Sequence, residues 1–301
     1  MRTLGSAVAA FAAVALTIYW SAASSSESDA LPLPRLEPKV SGRPLTPDAP
    51  VMVLLAGWPD THDMWAHQVR AFADEYHIVS LTTPDYDRAS LRRRWGYNLT
   101  EVLEMMARSL DAHLGPARRI DVIIAHDWGA IWGYHLLQGA AADRVGRLVA
   151  VDIGAESHDD PTRPAELPGN PLFLVPYQMV FASLFAVGTI VSPALAQTIL
   201  DAFWSLMPYV GPFAADFKFD VHAPRPLPQV KWWMCYPYYH LWFTHILAGR
   251  PLPPSMFPAV PTLFLYGAKK RTMFHSAAFE ERMKATAACR VARYELNSDI
   301  D

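Results

Sequence analysis

Residues 120–130 read Ile-Asp-Val-Ile-Ile-Ala-His-Asp-Trp-Gly-Ala, and this stretch decides the fold that the sequence predicts. The apolar run before the histidine is typical of a buried strand, and residues 128–141 have the pattern of a helix. Asp127 therefore stands between a strand and a helix, with the small residues Ala125 and Gly129 two positions to either side. Small residues there let the backbone close into a sharp elbow that raises the central side chain as a nucleophile. The alternative is that Asp127 caps the helix.

The alternation of strand and helix continues on both sides of this stretch. Short apolar runs bounded by turn residues predict buried strands, and apolar residues spaced three or four positions apart predict helices. Strands that alternate with helices predict a mostly parallel sheet flanked by helices, which is an α/β fold. The predicted strands are 51–55, 77–81, 120–125, 148–151, 262–266 and 290–296, and the predicted helices are 61–75, 98–114, 128–141 and 276–287.

The alternation stops between residues 156 and 256. Residues 167–200 contain no charged side chain, and prolines and aromatic residues are frequent throughout the rest of the interval. A helical insertion into a parallel sheet is expected to lie over the carboxyl ends of the strands, where α/β proteins bind ligands. We therefore predict a core of residues 50–155 and 257–301 with a helical lid at 156–256. The alternative for the apolar run 173–191 is contact with a membrane.

Two motifs resemble those of a known family. The elbow at 125–130 is similar to that of epoxide hydrolases and haloalkane dehalogenases of the α/β-hydrolase superfamily, and residues 56–60, Ala-Gly-Trp-Pro-Asp, resemble their His-Gly-x-Pro oxyanion loop. The resemblance implies an α/β-hydrolase fold in which Asp127 attacks carbon, forming an alkyl ester that water then hydrolyses. It also implies that the backbone N–H of Trp58 joins that of Trp128 in stabilising the oxyanion of the second step. The loop begins with alanine rather than the family's histidine, which leaves the backbone donor in place.

Two lid segments resemble parts of epoxide hydrolases that carry ring-opening tyrosines. Residues 170–178 suggest Tyr177, and residues 237–240, Pro-Tyr-Tyr-His, suggest Tyr239. A phenol in the pocket can donate a proton to the alkoxide that forms when an epoxide opens. The leading hypothesis is thus a hydrolase of the epoxide hydrolase type that acts on an apolar epoxide. The alternative is a haloalkane dehalogenase. In such an enzyme the indole N–H groups of Trp58 and Trp128 would hold the leaving halide.

The acid and the histidine that complete such an enzyme are not evident in the sequence. Lys270 stands where the family commonly keeps its acid, so Asp152, after the preceding strand, is the other candidate; it suits a structural role at the strand end equally well. The histidine should follow the strand at 290–296, but residues 297–301 contain none. We therefore expect either a truncated C-terminal end, with severely slowed turnover of the chain as given, or a ligand-binding protein without catalysis.

The N-terminal residues and the composition predict location and partners. Arg2 precedes an uncharged stretch that ends at Ser26, which predicts a signal peptide or signal anchor at 1–25, ahead of a Pro-rich linker at 26–49. We expect a protein of the secretory pathway, secreted or membrane-anchored, with membrane association through the N-terminal segment or the lid. A net charge of −3 argues against nucleic acid as a partner and leaves a small apolar substrate. Two isolated cysteines form no metal motif, and no metal or organic cofactor is expected.

Overall fold

A seven-stranded sheet forms the centre of the computed structural model, which describes residues 32–139, 142–154, 171–206, 230–249, 257–268 and 273–294. The strand order is β1-β3-β2-β4-β5-β6-β7; β1 runs antiparallel to β3, and all other neighbouring strands are parallel. The predicted α/β architecture with a mostly parallel sheet is confirmed. The strands are β1 Lys39–Gly42, β2 Val51–Leu55, β3 His77–Leu81, β4 Val122–His126, β5 Leu148–Val151, β6 Thr262–Gly267 and β7 Cys289–Tyr294.

Helices pack on both faces of this sheet. Alternate residues of a strand point to opposite faces, and in β2 Val53 belongs to one buried apolar cluster while Met52 and Leu54 belong to another. The smaller cluster lies under Val69 and Phe72 of the first helix, and the larger one contains residues of the next two helices. The helices are α1 Ala66–Phe72, α2 Leu99–Leu114, α3 Trp128–Leu136, α4 Pro171–Ile190, α5 Pro193–Leu206, α6 Tyr236–Tyr239 and α7 Ala277–Ala285.

The structure differs from the predicted boundaries at several places, including the helix predicted at 128–141, which ends at Leu136. Two of the differences have an evident cause. Strand β1 lies inside residues 26–49, which were predicted as a linker. It forms the edge of the sheet beside β3, and this pairing between distant residues leaves no local signal. The predicted helix 61–75 is a 3₁₀ turn, His62–Trp65, followed by the shorter α1. The turn begins where the Thr61 side chain accepts a hydrogen bond from the Asp63 N–H.

Helices α4, α5 and α6 lie between β5 and β6, in the interval predicted as a lid. A π-helical turn, His240–Ile246, continues α6. The ends of the predicted lid, the predicted leader at 1–25, Lys270 and residues 295–301 lie outside the described residues. Among the residues that the structure does describe, no helix is long and apolar enough to cross a membrane.

Candidate active site

Asp127 occupies a strained elbow between β4 and α3. Its backbone φ angle is +54°, a value that residues other than glycine rarely adopt, and its ψ angle is −128°. The turn closes because Gly129 lies against the carbonyl of Leu55; a Cβ on this glycine would be 2.8 Å from the carbonyl carbon. The side chain makes no N-cap hydrogen bond of the kind that the second or third N–H of a helix donates, which disfavours the helix-cap alternative.

Two backbone N–H groups point at this carboxylate. The N–H of Trp58 donates to Asp127 Oδ1 over 2.7 Å, and the N–H of Trp128 also hydrogen-bonds to the carboxylate. Gly57 permits this approach, because a Cβ there would be 2.5 Å from Asp127 Cβ. Burial raises the pKa of Asp127, whereas the electrostatic interaction with His126 and the two N–H donors lower it. The pKa is raised on balance, so removal from water outweighs the hydrogen bonds.

Two lid phenols, Tyr177 and Tyr238, interact electrostatically with Asp127. The Tyr177 and Tyr238 ring centroids are 6.3 Å apart, and the Tyr238 ring lies edge-on to Trp128 at 5.2 Å. Burial raises the pKa of both phenols, and the negative charge of Asp127 raises them further. Both groups are therefore protonated donors at neutral pH, next to the elbow.

Tyr239, the sequence-based candidate, is placed elsewhere. Its ring stacks on Trp95 at 5.4 Å and packs against Phe185 and Phe243, each at a centroid distance of 5.3 to 5.4 Å. Burial alone raises its pKa to about 12, with no contribution from Asp127. The Tyr238 ring, in contrast, lies against Trp128. Successive residues of a helix point about 100° apart, and the motif did not fix which of the two tyrosines faces the elbow. The ring-opening role of Tyr239 stays a prediction.

The wall above Asp127 is aromatic. Each of the three lid helices brings one ring against the indole of Trp58: Phe181 from α4 at 4.5 Å, Trp204 from α5 at 5.7 Å and Tyr238 from α6 at 5.3 Å. Aromatic pairs at these distances stabilise the fold by more than the burial of their apolar surface alone. Phe181 and Trp204 were not singled out from sequence; their only signal is the high aromatic content of the lid. The surroundings favour an apolar ligand.

Asp152 lies at the carboxyl end of β5, near both Asp127 and a second histidine. It has a φ angle of +77°, and its backbone N–H donates to the carbonyl of Leu265 over 2.8 Å. The negative charge of Asp152 raises the pKa of Asp127 and of His275, although burial lowers the His275 pKa on balance. His275 is buried, and its Nε2 atom is 3.8 Å from Glu280 Oε2. The role of Asp152 as an orienting acid stays a prediction.

Metal-binding side chains do not converge in the described part of the chain: no three His, Cys, Asp or Glu residues there could hold one ion. Both cysteines, Cys235 and Cys289, are free and buried. The chemistry available at the elbow is therefore that of one carboxylate, two backbone N–H donors and two phenols. This set suits attack on carbon and proton donation to a leaving oxygen.

Comparison with known proteins gives matches to hydrolases. A family model described as alpha/beta hydrolase fold matches residues 50–282. Among curated relatives, Epoxide hydrolase A of Mycobacterium tuberculosis is 33% identical over 113 residues, 36% of this chain and 33% of that protein. Epoxide hydrolase 4 of Mus musculus is 34% identical over 105 residues, 35% and 28% of the two chains. Probable oxidoreductase EphD of Mycobacterium tuberculosis is 31% identical over 117 residues, 37% and 19% of the two chains. The match thus spans a third or less of these relatives' length.

Two solved structures share the fold. An epoxide hydrolase of Bacillus megaterium superposes with a TM-score of 0.51 at 15% identity, covering 87% of this chain and 89% of that one. A marine microorganism esterase gives a TM-score of 0.55 at 14% identity, covering 87% and 91%. At these identities the likeness extends to the fold alone.

Proposed function

The chain belongs to the alpha/beta hydrolase fold family, and from this membership we propose that it opens apolar epoxides by nucleophilic attack of the Asp127 carboxylate. The observation that carries the proposal is the geometry of the elbow. Asp127 has a positive φ angle and accepts a hydrogen bond from the Trp58 N–H over 2.7 Å. It lies beside two protonated phenols. The similarity to epoxide hydrolases supports the same reading.

The first step forms an ester. An oxygen of the ionised Asp127 carboxylate attacks one ring carbon of the epoxide, the bond from that carbon to the ring oxygen breaks, and the oxygen leaves with the electron pair. Tyr177 or Tyr238 donates its proton to this developing alkoxide, which becomes the hydroxyl of a hydroxyalkyl ester. The phenols are suited to this role because burial and the carboxylate charge keep them protonated.

The second step hydrolyses the ester. Water adds to the ester carbonyl carbon of Asp127, and the oxyanion that forms on the carbonyl oxygen is positioned to accept hydrogen bonds from the N–H groups of Trp58 and Trp128. A base must take a proton from this water. When the bond between the Asp127 carbonyl carbon and the diol oxygen breaks, that proton goes to the leaving oxygen, and the proton left on the Asp127 carboxyl restores the tyrosine phenol. The last histidine in the 301 residues is His275, and no histidine follows β7 in this sequence. We therefore propose that a polypeptide of these 301 residues forms the ester faster than it hydrolyses it.

The experiment that tests the proposal measures the intact mass of the protein after incubation with a panel of aryl and alkyl epoxides. The expected result is a gain of one whole epoxide, with no gain in the Asp127→Asn variant. Diol release at many turnovers per enzyme without any accumulated adduct would contradict the proposed slow second step. The absence of both adduct and diol with every epoxide would contradict the proposed reaction.

One observation favours a second candidate, dehalogenation of alkyl halides. The indole Nε1 of Trp58 is buried with no hydrogen-bond partner among the described residues, so it is a free donor for a halide ion. The Trp128 indole N–H, in contrast, donates a hydrogen bond to the Tyr238 phenol and is therefore less available for a halide ion. The same mass measurement separates the two reactions, because an alkyl halide would add only its alkyl group and release the halide into solution.

A further inference from the structure

The outer side of helix α5 is apolar. Leu195, Ile199 and Leu206 are 46%, 42% and 57% exposed, and Val191, just before the helix, is 67% exposed. Spacings of four and seven residues place Leu195, Ile199 and Leu206 along one side of α5, and Val191 lies in the turn before the helix. We call these four residues the lid face.

The protein core does not use this side of α5. The opposite side is already occupied, because Ala196 and Leu200 are buried and Trp204 packs against Trp58. A surface helix normally exposes charged or polar residues on its outer side. Residues 171–206 contain a single charged residue, Asp201, whose carboxylate accepts a hydrogen bond from Gln197 Nε2. An exposed apolar strip with so little charge is typical of an interaction surface.

A basic residue borders one end of the lid face. The guanidinium of Arg94 donates to the carbonyl of Thr189 over 3.1 Å, two residues before Val191. Arg94 is exposed, and its charge has no acidic partner within the described ranges. An apolar helix side bordered by an exposed guanidinium matches the interfacial layer of a membrane, where acyl chains meet phosphate groups.

We propose that the lid face docks on the surface of a lipid bilayer with anionic headgroups. Val191, Leu195, Ile199 and Leu206 enter the acyl boundary, and Arg94 contacts the headgroup phosphates. The helix lies along the surface and does not span it. The inference rests on exposure and charge, and it holds whether or not Asp127 attacks epoxides.

The test uses the 301-residue chain and flotation with vesicles of phosphatidylcholine, with and without phosphatidylglycerol. The variant Leu195→Glu/Ile199→Glu is expected to lower the partition coefficient at least about tenfold on both vesicles, because two apolar contacts become charged. Arg94→Gln is expected to lower it about fivefold on anionic vesicles only. The control is Leu45→Glu, which changes a 39% exposed leucine before β2, at the opposite edge of the parallel strands, and is expected to change nothing.

A second readout locates the contact. Because Cys235 and Cys289 are buried, Thr198→Cys on α5 can be labelled with an environment-sensitive fluorophore, with Leu45→Cys as the matched control. A blue shift with vesicles at position 198 and none at position 45 is expected. The proposal is overturned if the double glutamate variant, folded with an unchanged unfolding temperature, binds vesicles like the parent chain, since the N-terminal stretch alone would then hold it. It is also overturned if the lid face joins two copies of the chain in the absence of lipid.

Discussion

At the residue scale, Asp127 combines a strained backbone with a carboxyl group whose pKa is raised by burial. A carboxyl with a raised folded-state pKa binds its proton more tightly in the native protein, so its ionisation lowers stability as pH rises through that pKa. We therefore expect Asp127→Asn to raise the unfolding temperature at pH 7. The gain should shrink as pH falls through the folded-state pKa of Asp127 and should vanish below the ordinary aspartate pKa, where both states are protonated. Thermal unfolding at several pH values checks this, and a less stable variant at pH 7 would contradict it.

The tyrosine pair gives the second prediction at this scale. Tyr238→Phe removes a phenol beside Asp127, and general-acid groups contribute about 10²-fold or more, so ester formation should slow by roughly that factor. Tyr239→Phe is the matched control: its phenol lies among Trp95, Phe185 and Phe243, and it should leave the rate within about twofold of the parent. Single-turnover rates of ester formation measure both. Equal effects of the two variants would contradict the placement of Tyr238 at the elbow.

At the element scale, the oxyanion loop and the elbow touch at Gly57. A Cβ at this position would be 2.5 Å from Asp127 Cβ, with the His126 carbonyl closer still, so the loop must move. Gly57→Ala is expected to lose about 1–3 kcal/mol of stability by overpacking and to slow ester formation because the Trp58 N–H is displaced. Gly139→Ala, whose Cβ would meet no atom closer than 3.8 Å, is the control. Chemical unfolding and single-turnover rates of both variants decide it, and a fully active Gly57→Ala would refute the close approach.

The elements also show how far the sequence predicts this molecule. Strands β2, β3 and β5 begin and end at the predicted residues, and β2 and β5 are apolar throughout because buried parallel strands are apolar on both faces. Strand β1 was missed, since Val40 is 44% exposed and its pairing with β3 depends on residues far away in sequence. The contact between the Trp58 N–H and Asp127 was predicted from the oxyanion-loop and elbow motifs. Which of Tyr238 and Tyr239 faces the elbow depends on the orientation of a four-residue helix, and no local sequence pattern fixes that orientation.

At the scale of the whole molecule, burial under the lid controls the pH dependence. Asp127 attacks only when ionised, and burial raises its pKa, so the rate of ester formation should rise with pH through a value above that of an exposed aspartate. The rate should then stay level until the phenols ionise, above the ordinary tyrosine pKa. A pH–rate profile of single turnover checks both limbs. A rate that is flat down to the ordinary aspartate pKa would contradict a buried nucleophile.

The central claim, that Asp127 is the nucleophile, is tested most directly by mapping the adduct. The protein is incubated with an aryl epoxide, quenched in acid and digested, and the modified peptide is sequenced by tandem mass spectrometry. The account predicts the mass of one whole epoxide on the carboxylate of Asp127, released by hydroxylamine as expected for an ester and absent from Asp127→Asn. An adduct on another side chain, or one that persists in Asp127→Asn, would contradict it.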